Sequence, residues 1–468
     1  MNIVTVTSWS PDLARHGGPR YLAIAAALGE DVASGRLERG ARLPTHRELA
    51  LQLGVTVGTV SRAYAEAERR GLVAGEVGRG TYVRDPGAPV RNQMPARIEA
   101  DGLIDLAFNS LSIPEDEEAL RHALSAVAQQ PDVGILLRYA PHAGLESHRR
   151  AGAAWLGRFG VEAPPDRVIV TAGGQHAMAV VLAALVEPGE VLAVERFSYP
   201  GIVALARLLR VPLEGVAMDE HGAVPDSLDQ LCRRRRVRGF YCMPNLHNPT
   251  AGVMPAARRA EIAEVARRHN VTVIEDDVYG CLIPDAPPPL TTLLPESAIY
   301  FTSVSKSLSA GLRVGYALPP PVLHDRLVMA VRSFSWMAAP LNAEVASRWI
   351  DDGTADRLVA ARRREVAARQ AMIRETLAGA CWEGDPRAAH IWLHLPATWR
   401  AADFAVEARR RGVLLVPADA FAISGGEPPP NDVRICLGGP LDRGSFRRGL
   451  ETVAALLRGV PGPDLSIM

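Results

Sequence analysis

The chain has 468 residues, of which 48% are hydrophobic and 22% charged, an ordinary globular composition with room for about three structural units of roughly 150 residues. Lys+Arg and Asp+Glu are both 52, so the formal net charge of +0 excludes a polybasic or polyacidic protein but not a local DNA-binding face. The longest aliphatic stretch (177–186) is too short to span a membrane, residues 1–10 lack the pattern of a signal peptide, and five cysteines without Cys-x-x-Cys spacing point to a reduced, cytoplasmic protein.

In chain order, residues 20–83 come first as one patterned unit. Tyr21, Ile24, Ala25, Leu28 and Val32 recur at helical spacing, and Gly35 stops that helix. Thr45 and Glu48 have capping-box spacing, which predicts a second helix that Gly54 breaks. Thr56 opens a third helix, closed by Gly71, and a hairpin over 72–74 and 81–83 follows. This is a winged helix-turn-helix order, which sets the third helix in a DNA major groove and the hairpin beside the backbone. Net charge over 1–90 is only slightly positive, so binding would rest on a few placed contacts and on dimerisation.

Asp85-Pro86-Gly87-Ala88-Pro89 ends the unit, and with Met94-Pro95 it reads as a semi-rigid linker over 86–101. From 102 to 468, β-rich runs at 168–171, 191–194, 240–243, 271–275 and 299–302 alternate with helical stretches such as 175–186 and 255–269. That alternation predicts an α/β domain with a mostly parallel sheet, followed by a smaller α/β subdomain over about 331–468. The run Arg233–Arg236 with Arg238 falls between a helix and a strand and reads as solvated surface.

The basic residues carry a sharper signal. One lysine, Lys306, stands against 51 arginines. An arginine keeps its charge, whereas a lysine amine can lose its proton and attack a carbonyl. Ser303-Val304-Ser305-Lys306 follows a predicted strand, and Arg313 lies seven residues on. Hydroxyls and one Arg would complete a phosphate cup for a cofactor whose aldehyde meets Lys306. Thr171-Ala172-Gly173-Gly174-Gln175 is either a phosphate-binding helix start or a plain strand–helix turn. Asp276 and Asp277 are either a helix cap or an acid for a pyridine nitrogen, which would make the ring an electron sink. Asn248 belongs to an Asx turn or faces a ring hydroxyl; Tyr199 is a core aromatic or a plate stacked on the ring.

Two resemblances resolve these alternatives. Residues 20–83 resemble the GntR-type winged-helix DNA-binding domain through Leu43-Pro44-x-x-Arg47-Glu48-Leu49-Ala50, Leu53-Gly54-Val55, Thr59-Val60 and Gly78-Arg79-Gly80-Thr81. That resemblance implies that Arg47, Thr56, Thr59 and Arg79 meet phosphates or bases, with Gly80 letting the wing approach. Val57 and Gly58 stand where many members carry an arginine. About 105–440 resemble the class I, fold-type I aminotransferases, through Tyr139 with Gly144 and Arg149, Thr171–Gln175, Tyr199-Pro200-Gly201, His247-Asn248-Pro249-Thr250-x-Gly252, Asp276-x-x-Tyr279, Ser303-x-x-Lys306 and Arg313-x-Gly315.

The second resemblance implies pyridoxal 5'-phosphate as cofactor, with Lys306 forming the internal aldimine and Asp276 at the pyridine nitrogen. Asn248 and Tyr279 would hold the ring oxygen, Tyr199 would stack on the ring, and Gly174, Gln175, Ser303 and Arg313 would hold the phosphate with Tyr139 from a partner subunit. Arg434 would clamp a substrate carboxylate. No metal site is expected. Where such enzymes usually show Gly-x-Pro, this chain has Asn109-Ser110-Leu111-Ser112-Ile113-Pro114, which implies an altered substrate entrance. The fusion is similar to the MocR subfamily of GntR-type regulators. It implies a cytoplasmic homodimer that binds an operator in double-stranded DNA and senses pyridoxal phosphate or a small amino compound at Lys306. The alternative is a working aminotransferase that passes an amino group from an amino acid to a 2-oxo acid.

Overall fold

The computed structural model describes residues 9–13, 19–37, 41–69, 72–76, 80–83, 102–423, 429–440 and 442–459. The chain divides into two units, Met1–Gln93 and Met94–Met468. The expected linker over 86–101 lies outside the described residues.

The first unit contains helices α1 (Arg20–Ala33), α2 (His46–Leu53) and α3 (Val57–Arg69) and the antiparallel hairpin β1 (Val73–Glu76) and β2 (Gly80–Val83). Ile24 and Leu28 of α1 are buried in one core with Leu49 of α2 and Val60 and Tyr64 of α3. The capping box forms: Glu48 N–H donates to Thr45 Oγ1 at 3.3 Å, and Thr45 N–H donates to Glu48 Oε2 at 2.8 Å. Gly54 ends α2 in the left-handed region, at φ 62°, where a Cβ would be strained. Ala41 and Leu43 run beside β2, accepting from Val83 N–H at 2.9 Å and donating to Thr81 O at 2.8 Å, which steadies the wing.

The second unit is built on a sheet of β3 (Ile169–Thr171), β4 (Val191–Glu195), β5 (Leu213–Val216), β6 (Val237–Cys242), β7 (Thr272–Asp276), β8 (Ala298–Ser303) and β9 (Gly315–Leu318). Their order is β3-β9-β8-β7-β6-β4-β5. Strand β9 runs antiparallel to β8 and β3, and the other pairs are parallel. Strands buried on both faces read as continuous apolar runs, which is why β3, β4, β6, β7 and β8 were legible. Strands β5 and β9 were not predicted. Leu213-Glu214-Gly215-Val216 is a half-exposed sheet edge, and β9 is shielded by its neighbours despite opening with a glycine.

A smaller antiparallel sheet follows, with β10 (Trp382–Glu383), β11 (His390–His394), β12 (Val416–Pro417) and β13 (Asp432–Cys436) in the order β10-β11-β13-β12. Ile104–Asp105 pairs in parallel with Val413–Leu414, so the start of this unit is stitched to its end. The exposed arginine-rich run is held by acids, two of them buried: Arg233 by Asp229 at 2.8 Å, Arg235 by Glu214 at 3.2 Å and Arg236 by Glu190 at 3.2 Å. Among the described residues, no helix is long and apolar enough to cross a membrane, and no cluster of His, Cys, Asp or Glu is arranged to hold a metal ion.

Candidate functional site

Three strands of the large sheet deliver polar groups at their carboxyl ends, where ligands sit in open α/β sheets. Strand β3 leads through Gly173 into helix α4 (Gly174–Leu185). Strand β7 ends on Asp276. Strand β8 ends on Ser303, whose hydroxyl accepts from Ser305 N–H at 3.2 Å and so starts the short helical turn Val304–Ser307 that carries Lys306. These groups line one pocket together with Gln175, Tyr199, Asn248, Tyr279, Arg313 and Arg434.

The two adjacent acids are told apart by their partners. Asp277 is satisfied, accepting from Asn245 Nδ2 at 2.9 Å and from the Tyr300 hydroxyl at 2.6 Å. Asp276 accepts from the Tyr241 hydroxyl at 2.6 Å through Oδ2, while its Oδ1 is buried without a partner. Burial pushes the Asp276 carboxyl up to about 7, aided by Asp277 and opposed by Tyr241 and Lys306. A carboxylate with one buried, unmet oxygen is suited to a cationic N–H brought by a ligand. Burial also draws the Lys306 amine down to about 8, with Arg434 and Arg313 in the same direction. An amine so placed is neutral in a useful fraction near neutral pH, as a nucleophile requires.

The anion-binding side is equally specific. Gly173 has φ +85°, and a Cβ there would lie 2.7 Å from a guanidinium nitrogen of Arg313. That close approach brings the Arg313 guanidinium beside the start of α4, where backbone N–H groups favour an anion. Arg313 donates to Ser305 Oγ at 3.2 Å, and Ser303 Oγ lies 2.8 Å from Ser305 Oγ. No carboxylate pairs with Arg313 or Arg434 among the described residues. Arg434, fully buried on β13, donates to Asn248 Oδ1 and to Ala107 O, both at 2.6 Å. Its Nε has no partner, so this buried cation still has donor capacity for an anion. Because Asn248 Oδ1 is occupied by Arg434, its amide NH2 is the group left for a ligand.

The pocket thus brings together Lys306, Asp276, Tyr279, Asn248, Tyr199, Gly174, Gln175, Ser303, Arg313 and Arg434. Tyr139 is not among its lining residues. It is 82% exposed, with its ring 5.5 Å from that of Trp336. Sequence reasoning missed Tyr241 and His390. Tyr241 reads as one more apolar strand residue, and His390 meets the site through Asn109 and through the Tyr279 ring, whose centroid lies 5.6 Å from its own.

On the winged unit, Arg47 is exposed on the first turn of α2. The Thr56 hydroxyl accepts from Thr59 N–H at 3.2 Å and lies 2.9 Å from the Thr59 hydroxyl, so the pair also caps α3. Gly80 pairs with Glu76 across the hairpin, and Arg79 lies outside the described residues.

Comparison with known proteins gives a consistent result. The family model for aminotransferase class I and II matches residues 101–451, and that for bacterial regulatory proteins of the gntR family matches residues 20–83. The uncharacterized HTH-type transcriptional regulator YdeF of Bacillus subtilis is 29% identical over 454 residues, covering 96% of this chain and 97% of its own. The α-aminoadipate aminotransferase LysN of Thermus thermophilus, solved with N-(5'-phosphopyridoxyl)-L-leucine, superposes with a TM-score of 0.67 at 28% identity, over 77% of this chain and 93% of its own. An archaeal alanine:glyoxylate aminotransferase shares the fold with a TM-score of 0.70 at 22% identity, over 77% and 91% of the two chains.

Proposed function

The chain belongs to the aminotransferase class I and II family and carries a gntR-family DNA-binding unit ahead of that domain, and from this premise we propose a MocR-type transcription regulator that holds pyridoxal 5'-phosphate and senses it, or an amino compound, at Lys306. The observation that carries the reading is the pairing of a winged helix-turn-helix with a pocket whose only lysine faces an acid with an unmet buried oxygen. Pyridoxal 5'-phosphate supplies an aldehyde for a lysine amine and a protonated pyridine that withdraws electrons.

Asp276 Oδ1 is the acceptor for the pyridine N–H. Gly174, Gln175, Ser303 and Arg313 receive the phosphate, and the Asn248 amide and the Tyr279 hydroxyl receive the ring oxygen. Tyr199 covers the ring and excludes water. Arg434 takes the carboxylate of an amino compound, through donors that Asn248 and Ala107 leave free. Tyr139, exposed on its own chain, reaches the phosphate of the other chain in a homodimer. Arg47, Thr56, Thr59, Arg79 and Gly80 face operator DNA, and the protein acts in the cytoplasm. For regulation, the ligand must bind one arrangement of the DNA-binding units better than another.

A second reading, a working aminotransferase, is favoured by the completeness of the Lys306, Asp276 and Arg434 set in one pocket. The deciding experiment is DNA protection upstream of the protein's own gene, with and without pyridoxal phosphate. Two spaced half-sites whose protection changes with the cofactor support the regulator. No protection under either condition, together with steady keto-acid production from an amino donor and 2-oxoglutarate, supports the enzyme instead.

A further inference from the structure

Asn109 carries none of the roles above, yet it touches two residues that do. The segment that begins with it was expected at a substrate entrance. Asn109 itself is 4% exposed and lines the pocket, and its main-chain carbonyl accepts a hydrogen bond from the Lys306 amine. Its side-chain Nδ2 lies 3.0 Å from the Tyr279 hydroxyl and 3.0 Å from His390 Nδ1.

The hydrogens in this network follow from one fixed point. His390 Nε2 is 2.9 Å from the main-chain oxygen of His247, which can only accept, so Nε2 carries a hydrogen. Burial, with Arg434 nearby, draws the His390 ring down to about 3 and keeps it neutral. Its Nδ1 is therefore an acceptor, and Asn109 must present its NH2 group. One of those hydrogens goes to His390 and the other to the Tyr279 oxygen. Tyr279 then accepts in that bond, which leaves its own O–H free to turn into the pocket.

We propose that Asn109, locked in place by His390, is a positioning residue that holds the Lys306 amine through its main-chain carbonyl and turns the Tyr279 hydroxyl toward the pocket through its side-chain amide. The cofactor reading above enters only in naming the ligand these groups would meet. The arrangement itself belongs to the chain.

Lys306 being the sole lysine, acetylation followed by peptide mass spectrometry reports on its amine without any cofactor. The groups facing that amine are Asp276, Arg434, Arg313, the Cys436 thiol and His390; Asn109→Ala keeps all of them, and the His390 variants keep the other four. The pH midpoint of Lys306 acetylation is measured on the full chain for the wild type, Asn109→Ala, His390→Ala and His390→Gln. Glutamine offers one donor to His247 and one acceptor to Asn109, so it replaces both bonds of the imidazole. A carbonyl no longer held against the ammonium favours the charged form less. The midpoint is expected to fall by about one pH unit in Asn109→Ala and His390→Ala and to return most of the way in His390→Gln. In protein loaded with pyridoxal phosphate, the pH midpoint of the cofactor absorbance should move in the same two alanine variants. An unchanged acetylation midpoint in Asn109→Ala with native circular dichroism overturns the proposal, whatever His390→Ala does to folding. A wild type that takes up no pyridoxal phosphate, while the acetylation midpoint still falls in Asn109→Ala, supports the positioning role and sinks the cofactor reading alone.

Discussion

Asp276 and Lys306 are both buried ionisable groups, and their energetics run in opposite directions along the pH scale. The native Asp276 carboxyl titrates at about 7, against roughly 4 in an unfolded chain. Between those values the folded state binds more protons than the unfolded one, so stability contributed by this group falls as pH rises from about 4 to about 7. Lys306, drawn down to about 8 from an unfolded value near 10.4, does the reverse, and its contribution rises from about pH 8 to about pH 10. In the cofactor-free protein, Asp276→Asn keeps an acceptor for Tyr241 and removes the buried charge. Denaturant unfolding of the large unit at pH 8 should show a gain on the order of 2–4 kcal/mol, with a shallower loss of stability between pH 4 and 7. Glu275, also pushed up to about 7 by burial, preserves part of that slope. A variant less stable than the wild type at pH 8 would contradict this account of Asp276.

At the level of elements, the site depends on the turn between β3 and α4. Gly173 permits a backbone that a side chain would strain, and it lets the Arg313 guanidinium come close to the helix start. Gly173→Ala is expected to lower pyridoxal phosphate affinity at least tenfold, read by equilibrium dialysis, through both the positive φ and the displaced Arg313. The winged unit has its own critical element. Thr45→Ala removes the acceptor for Glu48 N–H at the start of α2, and a cap of this kind contributes about 1 kcal/mol. Calorimetry should show the N-terminal transition lowered with the large unit's transition unchanged. The two elements therefore have separable tests, one on ligand affinity and one on stability.

For the whole molecule, two units with unlike proposed ligands share one chain. Arg47 is exposed at the start of α2, and as a phosphate contact it would contribute counterion release. Arg47→Ala should weaken binding to all DNA sequences about equally and reduce the slope of log affinity against log salt by about one, measured by fluorescence anisotropy. A change confined to one base position would instead make Arg47 a base-reading residue. The nearly balanced charge of the chain fits recognition through few contacts, since no broad basic field is available to hold DNA at high salt.

The sequence by itself determined the order of the winged unit, five of the seven strands of the large sheet, and most of the residues that line the pocket with Lys306, though not Asn109 in its role there, and Tyr139 is not among them. Those features are local. Helical spacing, a capping box, apolar runs and glycine turns are written within a few residues, and family motifs keep their spacing along the chain. Only the tertiary structure decided which of two adjacent acids was already satisfied, because Asp277 is held by Asn245 and Tyr300, 32 and 23 residues away. It likewise revealed the chain of bonds from His390 through Asn109 to Lys306 and Tyr279, whose first link spans 281 residues. A buried polar group is defined by what its atoms meet, and folding brings those partners together from distant parts of the chain.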